Sequence, residues 1–283
     1  MASSATAPQH EGCAKITLRS EGTRGHANHG WLNSAHTFSF ANWHDSRYMG
    51  LHSLRVINED RVTGGEGFGS HPHREFEIFS YVVQGKLAHK DSLGHEEMLE
   101  RGYVQFTSAG TGLSHSEYNG SPAGGPLVHF IQMWVKPNTA NLKPSYTTRK
   151  FRDKEKLNTL RAIVTKDARN GSIRIHQDID VYASILEPGK SITFQVRPGR
   201  DVYLHLIQDV SGFATEHGET ALLASAADGQ KTKLLGGDGV TVSHSNVGKE
   251  AAPQWFTIAG AGSNGANAEF ILRQRRRSGT DMS

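Results

Sequence analysis

The sequence predicts an all-β protein built from two β-barrels. Its apolar residues occur in short runs rich in Val, Ile, Phe and Tyr, and Gly, Asn, Asp or Ser residues separate these runs. Glycine accounts for 31 of the 283 residues, which is typical of many tight turns between short strands. The pattern occurs in two series along the chain. This spacing favours a sandwich or barrel over strands that alternate with helices.

The first series of strands begins after a polar leader. Residues 1–13 are small, polar and without periodicity, so they are expected to form a disordered tail. From Lys15 onward, short apolar runs alternate with turns such as Gly64-Gly65. The predicted strands of this series are Lys15–Leu18, Ser53–Ile57, Glu77–Val83, Tyr103–Thr107 and Val128–Val135. Residues 14–145 are therefore expected to form the first barrel.

The second series follows a connector at residues 136–160, which contains two prolines and mixed charge. Residues 146–272 are expected to form the second barrel. Residues 273–283 contain Arg275-Arg276-Arg277 and are expected to be a solvated basic tail. The predicted strands of this barrel are Ile173–Ile175, Val181–Leu186, Ser191–Val196, Val202–Ile207, Gly239–Ser243, Gln254–Ile258 and Glu269–Leu272.

The two halves are weakly alike in sequence. The run from Glu77 to Gln84 can be placed on the run from Asp201 to Gln208. In that register His71 falls on Gln195 and His73 falls on Arg197. If the halves are a duplication, the second half lacks the histidine pair of the first.

Charge and hydropathy exclude several classes of function. The 31 Lys and Arg residues nearly balance the 28 Asp and Glu residues, which argues against direct nucleic-acid binding. No apolar run approaches the roughly 20 residues of a membrane helix. The N-terminal residues lack the apolar segment of a secretion signal, so secretion is not expected. The single cysteine, Cys13, cannot form an internal disulfide or a thiolate metal site and fits a reducing, cytoplasmic location.

Histidines are concentrated in the first half, where twelve of the 16 fall within residues 1–130. His71 and His73 lie two residues apart on a predicted strand, so both side chains point to one face. Glu75 and Glu77 share that parity. A His-x-His pair alone is weak evidence, because chance supplies about one in so histidine-rich a chain.

A second pair, His115 and Glu117, also shares one face of an extended segment. Two such pairs from two strands supply three imidazoles and one carboxylate. This donor set suits one divalent transition metal with positions left open for substrate or dioxygen. By ligand type alone, iron, manganese, nickel, cobalt, copper and zinc are all compatible.

These segments resemble the two sequence motifs of the cupin superfamily. The first motif is matched by Gly65, His71, His73, Glu77 and Gly85, with one extra residue before Gly85, and the second by Gly112, His115 and Asn119. Within the cupins the chain resembles the pirin family over residues 24–140, and more loosely in the second half. Six blocks occur in order, among them Gly67-Phe-Gly-Ser-His-Pro-His-Arg74 and Ala109-Gly-Thr-Gly-Leu-Ser-His-Ser-Glu117.

The resemblance implies a bicupin, in which two jelly-roll β-barrels pack face to face and the first barrel holds one metal. It implies His71, His73, His115 and Glu117 as the metal ligands and Fe(II) as the metal. Many other cupins use the glutamate of the first motif, here Glu77, as the fourth ligand. The spacing along an extended segment permits either glutamate to be the fourth ligand. Glu117 is therefore favoured by the resemblance alone.

Two functions follow from the resemblance. The first is a quercetin 2,3-dioxygenase-like enzyme that cleaves a flavonol with dioxygen, in which Glu117 accepts the proton of the 3-hydroxyl as general base. The second is a non-enzymatic, redox-sensitive iron protein that binds a protein partner and regulates transcription, which adds a nuclear location. A cupin that acts on another small oxygenated substrate is a third, weaker possibility.

Other residues have simpler expected roles. His89 is expected at the surface or as a hydrogen-bond partner of the site, not as a ligand. Gln132 and Trp134 share a strand face, and Trp134 is expected in the core in preference to the pocket. His129 is expected to be a hydrogen-bonded barrel histidine, and His205 is expected to be structural.

Overall fold

The computed structural model describes residues 14–208, 221–244, 252–261 and 267–276. Strands dominate these residues, which confirms the predicted all-β class. Residues 1–13, with Cys13, lie outside the described residues, as do residues 277–283 of the predicted basic tail. In the described part of the chain, no helix is long and apolar enough to cross a membrane.

The first half contains eleven strands in two sheets. The order of the larger sheet is β12-β9-β6-β11-β4-β3-β2, and that of the smaller sheet is β5-β10-β7-β8. These strands are β2 (Gly25–Asn28), β3 (Leu32–His36), β4 (Leu54–Val62), β5 (Gly67–His73), β6 (Glu77–Gln84), β7 (Lys86–Asp91), β8 (Glu96–Glu100), β9 (Tyr103–Ser108), β10 (Leu113–Asn119), β11 (Val128–Val135) and β12 (Ser145–Lys150).

The second half repeats this arrangement. Its larger sheet has the order β1-β20-β17-β22-β15-β13-β14, and its smaller sheet has the order β16-β21-β18-β19. The strands are β1 (Lys15–Arg19), β13 (Arg161–Thr165), β14 (Ile173–Arg174), β15 (Ile179–Leu186), β16 (Ser191–Val196), β17 (Arg200–Leu206), β18 (Ala221–Ser225), β19 (Lys231–Leu234), β20 (Gly239–Ser243), β21 (Gln254–Gly260) and β22 (Ala268–Arg276). The helix α1 (Asp153–Lys156) and the 3₁₀ turns Glu21–Thr23 and Arg169–Gly171 complete the described elements.

Each barrel is a pair of facing sheets and not a continuously hydrogen-bonded cylinder, because the described pairings leave the seven- and four-stranded sheets separate. Strand pairing also departs from the residue limits expected for the two barrels. Strand β1 pairs with β20 of the second half, and β12 pairs with β9 of the first. An unpaired edge leaves a row of backbone donors and acceptors exposed, and β1 covers that edge of β20. Residues 273–276, expected in the tail, continue β22.

One hydrophobic cluster joins the two halves face to face. It contains Phe79, Tyr81 and Phe106 from the first half and Val181 and Tyr203 from the second. Two further clusters fill the interior of each half separately. The larger sheets therefore form the contact between the barrels, and the smaller sheets lie on the outer sides.

A buried carboxylate, Glu59 of β4, also connects the halves. It accepts hydrogen bonds from the Nε2 atoms of His129 at 2.9 Å and of His205 at 3.0 Å. Guanidinium groups of Arg24 and Arg61 each lie 3.3 Å from it. Burial opposes ionisation, but the bonds from the two histidines outweigh it and hold the pKa of Glu59 well below its usual range. The structural roles expected for His129 and His205 are confirmed.

Candidate metal centre

Three histidines converge between β5 and β10. His71 and His73 lie on the same face of β5, as their spacing predicts, and His115 of β10 is the direct partner of His71. The Nε2 atom of His115 lies 3.1 Å from that of His71 and 2.9 Å from that of His73. The three ligand atoms lie within 4.8 Å of one another.

Backbone geometry brings the two strands unusually close. The pairing of β10 with β5 shifts register between His115 and Glu117, where β5 carries an extra residue. A Cβ atom on Gly67 would lie 2.4 Å from the carbonyl oxygen of Glu117 and 2.4 Å from the Cα of Tyr118. Glycine at this position therefore permits the close approach that the register shift requires.

The three imidazoles face one another through their Nε2 atoms. The Nδ1–H of His71 donates to the carbonyl oxygen of Gly69 at 2.8 Å, which leaves Nε2 as the acceptor nitrogen. Burial, together with the neighbouring His115 and His71, lowers the pKa of His73 to about 3. Burial also lowers the pKa of His115. Neutral imidazoles are the form that binds a metal.

A divalent transition metal fits this arrangement. Metal–nitrogen bonds of about 2.1 Å at right angles place two ligand nitrogens about 3.0 Å apart. The observed Nε2–Nε2 distances of 2.9 and 3.1 Å match that separation. A cation bound by the three Nε2 atoms would also give these nitrogens a partner other than one another.

Glu117 lies beside this cluster, two residues after His115 on β10. Its side chain is buried, and its two oxygens accept hydrogen bonds from Gln105 Nε2 at 2.9 Å and Gln132 Nε2 at 2.8 Å. Burial raises its pKa, but His115, His89 and the Gln105 amide outweigh that effect, so the pKa lies below the usual value. The ligand atoms of Glu117, His115 and His89 lie within 4.8 Å of one another. The four predicted ligands thus fall into two overlapping groups that share His115.

Glu77, the alternative carboxylate, points elsewhere. The parity expected for Glu75 and Glu77 is lost because β5 ends at His73 and Glu75 adopts a left-handed backbone with φ of 57°. Glu77 begins β6 in the other sheet, where its carboxylate accepts the backbone N–H of His176 at 3.0 Å and Nδ1–H at 2.7 Å. It therefore connects the two halves.

His89 is closer to the site than its sequence position indicates. It is buried, and β7 places it directly opposite Glu117 of β10. Its ring stacks on Tyr146 at a centroid distance of 4.3 Å, and its Nε2 lies 3.2 Å from Asp91. A surface position is therefore wrong. The pairing of β7 with β10, which no local pattern reveals, brings it to the cluster.

A pocket of about 320 Å³ opens beside the cluster and includes His71 and Glu117 in its wall. Trp134 lies at this pocket and not in the core, with its ring 4.8 Å from that of His73. The size falls near the lower limit of small-molecule pockets, roughly 300–1,000 Å³. Its other aromatic side chains are Trp31, Phe40 and Phe68. Such a wall suits a flat aromatic molecule.

A second buried carboxylate, Asp60, lines the same pocket. Ser34 donates a hydrogen bond to Asp60, and His36 Nε2 lies 2.8 Å from the Ser34 hydroxyl. Burial raises the pKa of Asp60 to about 7. A group with this pKa can exchange a proton with a bound phenol near neutral pH. Sequence reasoning missed it, although the four consecutive polar residues 58–61 inside the β segment Leu54–Val62 are a signal for it.

The metal-free protein is expected to lose stability as the pH falls from about 6.5 to about 4.5. Burial lowers the pKa of five histidines, so in the folded protein they bind protons less readily than unfolded imidazoles, which bind protons below about pH 6.5. The unfolded state therefore binds more protons in this range. Burial raises the pKa of Asp60 and Glu77, so these two carboxylates stabilise the folded state as the pH falls. They are fewer than the histidines, whose effect is opposite. The histidines are His36, His73, His115, His129 and His205.

Denaturant unfolding across this pH range measures the effect. His36→Gln removes one of the contributing groups, outside the three-histidine cluster, and should flatten the pH dependence. An unfolding free energy that stays constant or rises toward acid would contradict the lowered pKa values of the buried histidines.

Sequence comparisons agree with the motifs. A family model described as Pirin matches residues 17–135, and one described as Quercetinase C-terminal cupin domain matches residues 162–251. A quercetin 2,3-dioxygenase of Escherichia coli K12 is 42% identical over 214 residues, which cover 76% of this chain and 88% of that protein. The chain belongs to the pirin family. A pirin-like protein of Caulobacter vibrioides is 35% identical over 64% of this chain and 77% of its own length.

Solved structures place the fold in the same family. The bacterial pirin YhhW of Escherichia coli, in complex with nickel(II), superposes with a TM-score of 0.75 at 33% identity and covers 93% of this chain and 100% of its own. A quercetin 2,3-dioxygenase of Acinetobacter baumannii shares the fold, with a TM-score of 0.65 at 17% identity and cover of 93% of this chain and 87% of its own. The predicted bicupin architecture of a pirin is thereby confirmed.

Proposed function

We propose that this pirin is a metal-dependent dioxygenase that cleaves flavonols such as quercetin. The observation that carries the proposal is the convergence of three imidazole Nε2 atoms beside an aromatic-walled pocket. The names of the related dioxygenases support it. Quercetin and dioxygen are the proposed substrates, and the proposed location is the cytoplasm.

His71, His73, His115 and Glu117 are the proposed ligands. Glu117 is preferred to Glu77 as the fourth ligand, because the Glu77 carboxylate is engaged by His176 of the second half. Gln105 and Gln132 hold the Glu117 carboxylate in its orientation. Fe(II) is the proposed metal, although the same donors also suit Mn, Ni, Co, Cu and Zn.

When bound, the metal would lower the pKa of the substrate 3-hydroxyl and orient the substrate toward dioxygen. Glu117, which is ionised near neutral pH because of its lowered pKa, would accept the 3-hydroxyl proton. Trp134, Phe40 and Phe68 would hold the flat ring system and exclude water from it. Breaking the C2–C3 and C3–C4 bonds would release C3 as carbon monoxide. Both oxygen atoms of dioxygen would remain in the 2-acyloxybenzoate product.

A substrate pair tests this proposal. Quercetin carries the 3-hydroxyl, whereas luteolin is the same molecule without it. Protein reconstituted with a single metal, Fe(II) first and each alternative in turn, should consume dioxygen with quercetin and not with luteolin. The oxygen electrode measures uptake directly. Equal uptake with both compounds would contradict a mechanism that begins at the 3-hydroxyl.

A further inference from the structure

The second barrel contains a pocket at the position equivalent to the metal centre. Its smaller sheet, β16-β21-β18-β19, has the order of β5-β10-β7-β8 in the first barrel. The registers also correspond, since Glu77 of β6 pairs with Val135 of β11 and Asp201 of β17 pairs with Arg275 of β22. The alignment of Glu77 with Asp201 in the sequence is thus matched by the topology.

In the sequence register that places Glu77 on Asp201, the non-ligand residues Gln195 and Arg197 fall on His71 and His73. Their neighbours Phe194 and Val196 face the interior of the second barrel. Trp255 lies directly opposite Gln195, as His115 lies opposite His71. Gln195, Arg197 and Trp255 line a pocket of about 620 Å³. The two groups of possible metal ligands found in the described ranges share His115 and lie in the first barrel, not in this pocket. Among the described residues, the second pocket therefore lacks the donor set of the first.

Other pocket positions are equivalent as well. Leu272 pairs with Tyr182 in the second half as Gln132 pairs with Asn58 in the first, and all four line their respective pockets. Gln274 takes the position of Trp134, and it also lines the second pocket. The correspondence holds on the larger sheet, whereas the wall on the smaller sheet includes the exposed side chains of Arg197 and Trp255, so the pocket is open to solvent.

The charges of the second pocket leave two cations unpaired. Arg169 pairs with Asp167 at 2.9 Å and with Asp180 at 2.7 Å. Arg200 pairs with Asp178 at 3.1 Å. These pairs account for all three acidic side chains in the wall. Two wall cations, Lys166 and Arg197, have no carboxylate partner within the described part of the chain.

An aromatic surface accompanies these cations. Trp255 is 50% exposed although it lies on a barrel strand, so its ring is free to stack on a flat molecule. Guanidinium groups bind carboxylates through two parallel hydrogen bonds. We propose that the pocket of the second barrel binds a small aromatic carboxylate, with Arg197 and Lys166 on the carboxylate and Trp255 against the ring. This binding requires neither metal nor turnover, so it can fail or hold independently of the dioxygenase function.

Calorimetric titration of the metal-free full-length protein with salicylate tests the proposal. Wild-type protein should bind one salicylate per chain, and salicylamide, the uncharged analogue, should bind at least about ten-fold more weakly. Arg197→Gln should weaken salicylate binding by at least about ten-fold. Arg174→Gln is the matched control, because Arg174 is an exposed arginine of the same half outside this pocket.

Variants of Trp255 add a second measure that does not depend on charge. Trp255→Ala should weaken binding, and Trp255→Phe should restore most of it. Equal affinities in Arg197→Gln and Arg174→Gln would overturn the proposal, as would the absence of saturable binding. Binding that is lost in Trp134→Ala and retained in Arg197→Gln would place the ligand in the first barrel and would equally overturn it.

Discussion

Glu59→Gln is expected to lower the free energy of unfolding by about 3–5 kcal/mol, because it removes the counter-charge of the buried Arg24 guanidinium. The side chains of Glu59 and Arg24 are fully buried, and that of Arg61 is nearly so. His205 and the backbone N–H of Gln208 reach Glu59 from the second half, so the change also weakens the contact between barrels. Denaturant unfolding monitored by circular dichroism measures the effect.

The control for Glu59 is an exposed carboxylate that also has a cationic partner. Glu96 lies 3.1 Å from Lys90, and both side chains are mostly exposed. Glu96→Gln should change the free energy of unfolding by no more than about 1 kcal/mol. A loss below about 1 kcal/mol for Glu59→Gln would show that the network contributes little to the joining of the halves.

His115→Ala is expected to reduce metal affinity by more than the 10–100-fold typical of groups that only support a ligand, and to abolish turnover. His115 belongs to both groups of possible ligands, so its loss disrupts either arrangement. His44→Ala is the matched control, because His44 is exposed and lies outside the cluster. Metal content after dialysis, measured by mass spectrometry on folded samples, checks the result. Retention of a full equivalent of metal by His115→Ala would contradict the assignment.

The same measurement distinguishes the two candidate carboxylates. Glu117→Gln should lower metal affinity, whereas Glu77→Gln should keep the metal, because its contacts are with His176. The opposite result would return Glu77 to the ligand set.

Local periodicity predicts the shared face of His71 and His73, whereas His115 joins them through the pairing of β10 with β5. Residues two apart on a strand share a face, and this rule places His71 with His73. The rule fails at Glu77 because the positive φ of Glu75 ends the strand, and a single-residue turn conformation leaves no periodic signal. The surface position, one of the two positions expected for His89, is wrong for another reason. His89 reaches the cluster through pairing of β7 with β10, and such non-local pairings are not encoded in any short segment.

The barrel limits were affected by the same kind of non-local pairing. The sequence places Lys15–Leu18 in the first series of strands, yet β1 pairs with β20 more than 200 residues later. Nothing in a five-residue strand specifies which open edge it will cover. The connector likewise contains β12, whose mixed polar sequence reflects an edge strand with an exposed face.

Quercetin consumption and carbon monoxide release, measured together on protein reconstituted anaerobically with Fe(II) and then given dioxygen, test the central claim most directly. Bound metal is counted in the same sample. We expect one carbon monoxide per quercetin consumed, one metal per chain, and no turnover in His115→Ala. Full metal occupancy without quercetin turnover would contradict the dioxygenase assignment and would favour a metal-bearing regulatory protein.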